Sequence, residues 1–269
     1  MALSQWDCLL KHIGVWQGSF TQFSPTGKMV KDTPSQLTLA CSDDKQTIRL
    51  TLHRENCQPV VSEFTHLNRS IFLFEDGHFA KGSLQFSPYA VFGAEYGFIR
   101  GDRRCRLVQL YDIHSQLESV TLIREFRQGG NGKENPPLSV KSLEGEWQGE
   151  AITLYPDWRN SNPYTTHLLV KVEGDRLKQT LTTPQTSLTS EGIIQDNTIT
   201  FCEGNHQIRV LLLPDGASSV TPVKLLLHQP FFLEFGWLVT ENLRLRLIRR
   251  YDSQGRWLDV TLVREKKLI

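Results

Sequence analysis

Apolar and polar residues alternate in short runs along most of the chain. Leu37 to Leu39, Thr47 to Leu52, Ile71 to Phe74, Tyr89 to Ile99, Arg104 to Tyr111 and Ser119 to Phe126 are rich in β-branched and aromatic residues and are separated by turn formers, which is the signature of strands. Asp76-Gly77 and Asp215-Gly216 predict tight hairpins, because glycine accepts the positive φ such a turn needs. Helical periodicity is confined to Gln5 to His12 and, less clearly, Ser139 to Leu143, each just ahead of a tryptophan. Many short strands at close spacing predict a barrel or a sandwich.

The pattern occurs twice. His12 to Gly18 parallels Leu143 to Gly149, with Trp16 and Trp147 at an offset of 147 − 16 = 131 and Pro25 and Pro156 at the same offset. Glu95 to Phe98 parallels Glu234 to Trp237 at 234 − 95 = 139, and Asp76-Gly77 parallels Asp215-Gly216 at the same offset. Arg106 to Asp112 parallels Arg246 to Asp252, and Val120 to Glu125 parallels Val260 to Glu265, at 264 − 124 = 140. Collinear matches whose offset grows slowly are expected of an internal duplication in which loops gain residues. Residues 128–137, Gln-Gly-Gly-Asn-Gly-Lys-Glu-Asn-Pro-Pro, are polar and break regular structure. The chain therefore divides into a first antiparallel barrel at 1–127, a linker at 128–137 and a second barrel at 138–269.

Composition narrows the function classes. With 30 Lys+Arg against 29 Asp+Glu in 269 residues, the chain lacks the basic excess of a nucleic-acid or membrane-surface binder. Met1 to Trp16 carries Asp7, Lys11 and His12 among its apolar positions and does not read as a secretory signal; no run of ~18 apolar residues predicts a membrane helix. Cys8, Cys41, Cys57, Cys105 and Cys202 form no CxxC pair and read as free thiols in a reducing cytosol. No histidine clusters with a cysteine at ligand spacing, so no metal is expected. None of the eight histidines recurs at a matched position in the two copies, which argues against haem and leaves the cofactor unassigned.

A helical turn leading into Gly-x-Trp on the first strand, with an arginine on the last, resembles the lipocalin and broader calycin pattern. The matching residues are Gly14, Trp16 and Arg124, then Gly145, Trp147 and Arg264. The resemblance implies that the tryptophan plugs one barrel end and the arginine packs across it, a cation–π contact of about 1 kcal/mol. Over its whole length, through the paired Trp-Gln-Gly and Tyr-Asp…Val-Thr-Leu…Arg-Glu segments, the chain is similar to a two-barrel lipocalin-like family found mainly in cyanobacteria. Distant relatives of that fold include bilin lyases, but no lyase residue can be matched here and that activity is not carried over.

The candidate site lies on the arginine-bearing strand. Alternation puts Arg104 and Arg106 on one face, as it does Arg244 and Arg246, with apolar residues on the other. On an exterior face they are simply solvated. On an interior face they would need a ligand anion, an internal acid such as Glu234, or ordered water, and could hold a carboxylate in a bidentate fork. Tyr96 and Phe98 in the first copy and Phe231, Phe235 and Trp237 in the second would supply the apolar wall. These nine residues form the expected ligand-binding set, for a lipophilic or chromophore-like small molecule. A tetrapyrrole-handling lyase or chaperone, and an interaction module whose barrels are filled by their own side chains, are the alternatives. No catalytic constellation is legible.

Overall fold

The computed structural model describes residues 3–268. Helix α1 (Gln5–Leu10) begins at a capping box, in which the Ser4 hydroxyl accepts from the Asp7 backbone N–H and the Asp7 carboxylate accepts from that of Ser4. Nine strands follow: β1 (Gly14–Phe23), β2 (Met29–Cys41), β3 (Ile48–Arg54), β4 (Val60–Phe64), β5 (Ile71–Leu73), β6 (Phe79–Gly82), β7 (Phe92–Arg100), β8 (Arg103–Tyr111) and β9 (Leu117–Arg127). After the polar linker comes the short helix α2 (Val140–Leu143). Ten strands complete the chain: β10 (Gly145–Leu154), β11 (Tyr164–Glu173), β12 (Arg176–Thr182), β13 (Ser187–Gln195), β14 (Thr198–Phe201), β15 (Ile208–Leu212), β16 (Ala217–Pro222), β17 (Phe231–Thr240), β18 (Leu243–Tyr251) and β19 (Trp257–Lys267).

Every strand pairing is antiparallel. The second half closes into a ten-stranded barrel, while the first is a curled sheet in the order β4-β3-β2-β1-β9-β8-β7-β6-β5. The all-β expectation holds, with one barrel shut and the other open between β4 and β5. The halves keep one register: Trp16 lies opposite Arg127 as Trp147 lies opposite Lys267, and Phe92 opposite Tyr111 as Phe231 opposite Tyr251. Gly18, in the first Trp-Gln-Gly, is required by close approach, since a Cβ there would stand 1.8 Å from the Arg124 carbonyl oxygen.

Both tryptophans are fully buried plugs, each donating its Nε1–H to the helical turn four residues earlier, to His12 O at 2.8 Å and to Leu143 O at 2.9 Å. The cations over them differ from the expectation. Arg127 and Arg104 lie 4.3 and 4.6 Å from the Trp16 ring, and Lys267 lies 5.1 Å from Trp147. Arg124 and Arg264 are an odd number of residues away from these on the same strands and point to the opposite face. Arg124 donates to Ser19, Thr21 and Glu134, and Arg264 pairs with Asp76.

The two halves share one core. The apolar faces of β7 and β8 (Phe92, Tyr96, Phe98, Leu107, Tyr111) pack against those of β17 and β18 (Phe231, Phe235, Trp237, Leu247, Tyr251). Contacts across this seam occur in matched pairs. Gln85 bridges Arg256 as Lys224 bridges Gln116, where 224 − 85 = 139 and 256 − 116 = 140 are the repeat offsets. Phe86 N–H donates to Gly255 O at 2.7 Å as Leu225 N–H does to Ser115 O at 2.9 Å. Tyr251 Oη donates to Ser83 O at 2.9 Å as Tyr111 Oη does to Pro222 O at 2.7 Å. The seam is therefore isologous, with the geometry of a two-fold dimer joined by a linker.

Candidate functional site

Strand alternation leaves β8 and β18 with two buried faces: the apolar face enters the seam, and the arginine face turns into the barrel. Arg104, Arg244 and Arg246 are buried and Arg106 nearly so, so the solvated reading does not hold. Their partners are internal acids. In the first half Glu125 receives four hydrogen bonds: Arg104 Nε and Nη2 at 2.7 and 3.0 Å, and Arg106 Nε and Nη2 at 2.9 and 3.0 Å. Arg106 Nη1 reaches Glu95 Oε1 at 2.7 Å, and Lys81 Nζ stands 2.8 Å from the same carboxylate.

The second half repeats the set. Glu234 corresponds to Glu95, Arg244 and Arg246 to Arg104 and Arg106, and Glu265 to Glu125, at the 139 and 140 offsets. Arg246 Nε and Nη2 donate to Glu234 Oε1 and Oε2 at 2.9 and 2.8 Å. The rest is looser: Arg244 lies 3.3 Å from Glu265 and 3.7 Å from Glu234, Arg246 Nη1 lies 3.5 Å from Glu265, and neither buried oxygen of Glu265 accepts an aligned hydrogen bond. Each quartet is two cations and two anions, neutral as a unit, as burial of charge demands.

The environment sets the charges. Burial by itself would raise the Glu125 carboxyl, yet Arg106 and Arg104 hold it down at about 2. Burial likewise opposes ionisation of Glu95 and Glu234, and Lys81 with Arg106, and Arg246 with Arg244, lower them. His12 abuts the first quartet, with Nδ1 3.5 Å from Arg104 Nη1 and Nε2 2.7 Å from Gly77 O. Burial, then the Arg104 charge, depress it to about 3, so it is neutral and its Nε2–H donates to Gly77. His78, depressed by burial to about 4, receives the Ile99 N–H on Nδ1 at 3.3 Å and stands 3.2 Å from Asp76.

The expected aromatic wall is elsewhere. Tyr96, Phe98, Phe231, Phe235 and Trp237 alternate with the arginine-side residues and so face the seam. Phe98 packs on Phe235 and Trp237 with ring centroids 4.8 and 6.1 Å away, and Phe231 stacks on Tyr251 at 4.6 Å and 9°. The fold brings Arg104 with Arg106, and Arg244 with Arg246, but separates both pairs from the aromatics by the thickness of the sheet. The residues that sequence reasoning left without a role, Glu95, Glu125 and Glu265, carried one signal: each lies in a segment repeated in both copies, at the same place relative to the arginines.

Among the described residues no three His, Cys, Asp or Glu side chains gather as a metal set, and no helix is long and apolar enough to cross a membrane. Comparison with known proteins supplies the family. A crystal structure of a DUF3598-family protein of unknown function from Nostoc punctiforme PCC 73102 is 41% identical, over 99% of this chain and 100% of that one, with a TM-score of 0.95. The chain belongs to the DUF3598 family. The N-terminal domain model of DUF3598 matches residues 2–130, and residues 134–268 match the C-terminal domain of the biogenesis factor required for ATP synthase 1. An S-type phycobiliprotein lyase from Guillardia theta aligns with 48% of this DUF3598 chain and 90% of its own at 10% identity and a TM-score of 0.38. No curated protein matches the sequence.

Proposed function

We propose that this DUF3598 protein is an assembly factor that holds another protein chain while a larger complex, of the ATP synthase kind, is built. The observation that carries the reading is the match of residues 134–268 to the C-terminal domain of an ATP synthase biogenesis factor. The site geometry favours it over catalysis: the arginines that could anchor a substrate are spent on Glu95, Glu125, Glu234 and Glu265, and the aromatics on the seam. That leaves outer surfaces and sheet edges as the parts free to engage a partner. The test is affinity purification of the tagged full chain from its own host, with a strain lacking the gene in parallel. ATP synthase subunits should be enriched and the synthase level reduced; no enrichment together with normal synthase would end this reading.

A second reading, binding of a lipophilic or chromophore-like small molecule, is favoured by the second quartet. Buried carboxylate oxygens without an aligned donor are unusual, and a small hydrogen-bond donor entering beside Glu265 would complete the set. Native mass spectrometry and absorbance of the host-purified protein test it, because a carried pigment or lipid would add mass or colour. A cytoplasmic location is supported by the five cysteines, all of which are free thiols.

A further inference from the structure

The two copies differ by one strand. At the repeat offset β5 corresponds to residues 210–212 of β15 (71 + 139 = 210), β6 to β9 correspond to β16 to β19, and β1 to β4 to β10 to β13. Strand β14 has no counterpart. In the second half it lies between β13 and β15, pairing Ile194 with Ile199 and Ile199 with Val210, and it sends Ile199 and Phe201 into the core. In the first half residues 65–70 carry the chain across this position without forming a strand.

The gap cannot close with the antiparallel pairing used throughout the rest of the sheet. Eight antiparallel steps separate β4 from β5 around the sheet, so the two edges run in the same direction. The β5 edge is covered: Gln5 of α1 donates from Nε2 to Leu73 O at 2.8 Å and accepts the Leu73 N–H on Oε1 at 2.7 Å, the two bonds a neighbouring strand would make. The β4 edge has no such cover. Among the described residues, Val60–Phe64 makes no backbone hydrogen bond except to β3. Val60 and Val61 are 46% and 51% exposed, and Leu50, Leu52 and Phe64, which share the inward face with Val60, are only half-buried. The single charge on β4, Glu63, is engaged by Arg49 at 3.4 Å. Open edges of this kind are ordinarily blunted by charge or a covering element.

We infer that the β4 edge receives an extended segment of a partner protein, which adds the tenth strand to the first half as β14 does to the second. The occupant's chemistry is written in β14: an antiparallel segment with β-branched or aromatic residues at alternate positions facing in, as Ile199 and Phe201 do, and small polar residues such as Thr198 and Thr200 facing out. This deepens the assembly-factor reading and rests on it, since it names the surface by which the partner is held.

The test uses the full chain and a labelled synthetic peptide of residues 196–201, Asp-Asn-Thr-Ile-Thr-Phe, as the probe. Anisotropy should show saturable binding, and backbone amide exchange should slow at residues 60–65. A peptide carrying Ile199→Asp and Phe201→Asp should bind at least about tenfold more weakly, as should the chain with Val61→Pro or Val61→Lys; a wild-type urea midpoint certifies that the exposed Val61→Lys variant folds. Equal binding of both peptides, protection elsewhere, or no protection at 60–65 overturns the inference. So does a concentration-dependent dimer that Val61→Lys abolishes, which would make a second copy the occupant. If ATP synthase subunits copurify equally with Val61→Lys, the strand site falls and the assembly reading stands. Peptide capture at β4 by a chain that retains no subunit gives the reverse.

Discussion

Glu125→Gln is the most informative single perturbation of the first half. The carboxylate sits between two guanidiniums and accepts from both. Glutamine keeps the shape but removes the charge and half the acceptors. Arg106 retains Glu95, whereas Arg104 is left buried without a carboxylate, beside the neutral His12 ring and the face of Trp16. Two routes give the magnitude. The shift of the Glu125 carboxyl from 4.5 to about 2 corresponds to roughly 3–4 kcal/mol at about 1.4 kcal/mol per unit. Removing one partner of a buried ion pair costs about 3–5 kcal/mol. With an m-value near 3 kcal/mol/M the urea midpoint at pH 7.5 should fall by roughly 1–1.5 M. The sign with pH follows from linkage: the folded carboxyl is depressed, so its contribution is complete above pH 4.5 and is lost as pH falls toward 2. The variant should lack that component of the acid limb. The double variant Arg104→Met/Glu125→Leu removes the stranded charge and should recover more than half of the loss. A Glu125→Gln midpoint within experimental error of wild type, with an unchanged acid limb, would refute the reasoning.

Other outcomes follow from the same geometry. Trp147→Ala should destabilise the protein by about 3–5 kcal/mol, read as a urea midpoint, because the plug is fully buried. Cleaving the linker between Gly129 and Gly130 should leave the halves co-eluting on gel filtration, since they share one apolar core; separate elution would show that the seam is weak. His12 and His78 are held neutral, with values of about 3 and 4; as the folded values are depressed, stability should fall once pH drops below 6.5, by about 2 kcal/mol per histidine at pH 5, and His12→Gln should flatten that limb. Arg249 is fully buried at the seam, without a carboxylate partner among the described residues, bonding Tyr251 Oη at 3.1 Å and Ser83 O at 3.3 Å. Arg249→Gln, the residue at the matching position 109 of the first copy, should therefore be neutral or stabilising by thermal denaturation, as replacement of buried charge often is.

The strands were legible where alternation was strong: β3, β5, β8 and β9 lie within a residue or two of their expected ends. The expected start of β7 at Tyr89 was wrong because Pro88 and the exposed Tyr89 and Val91 belong to the turn before it. β4 (Val-Val-Ser-Glu-Phe) and β6 (Phe-Ala-Lys-Gly) show no clean alternation of apolar and polar residues, and nothing in local pattern reports whether a sheet closes. Which way the arginines face was left open for a physical reason. Alternation in Arg104-Cys105-Arg106-Leu107 separates two faces of unequal polarity, and the usual inference puts the polar face in water. Here a second barrel offers the apolar face a drier environment than the first barrel's interior, so Leu107 and Leu247 went outward to the seam and the arginines went inward to the acids. Only the partner, not the strand itself, decides between those arrangements.

The seam also explains where the two copies could diverge. At an isologous interface each residue near the axis meets its own counterpart's surroundings, so a change there perturbs both halves at once; Tyr111 and Tyr251, Phe92 and Phe231, and the matched backbone bonds of Phe86 and Leu225 retain the symmetry. Farther from the axis it relaxes. Asp76 is held by Arg264, whereas its counterpart Asp215 is held by Arg103 and not by Arg124, the counterpart of Arg264. At the far rim it is gone: the second half keeps β14 and a closed barrel, and the first ends in an open edge beyond β4. The absence of a tenth strand there is tolerable because the seam anchors β7 and β8 on the opposite side, and because Gln5 satisfies β5. A stable closed half thus supports an incomplete one, which is the arrangement expected if incompleteness is what the first half contributes.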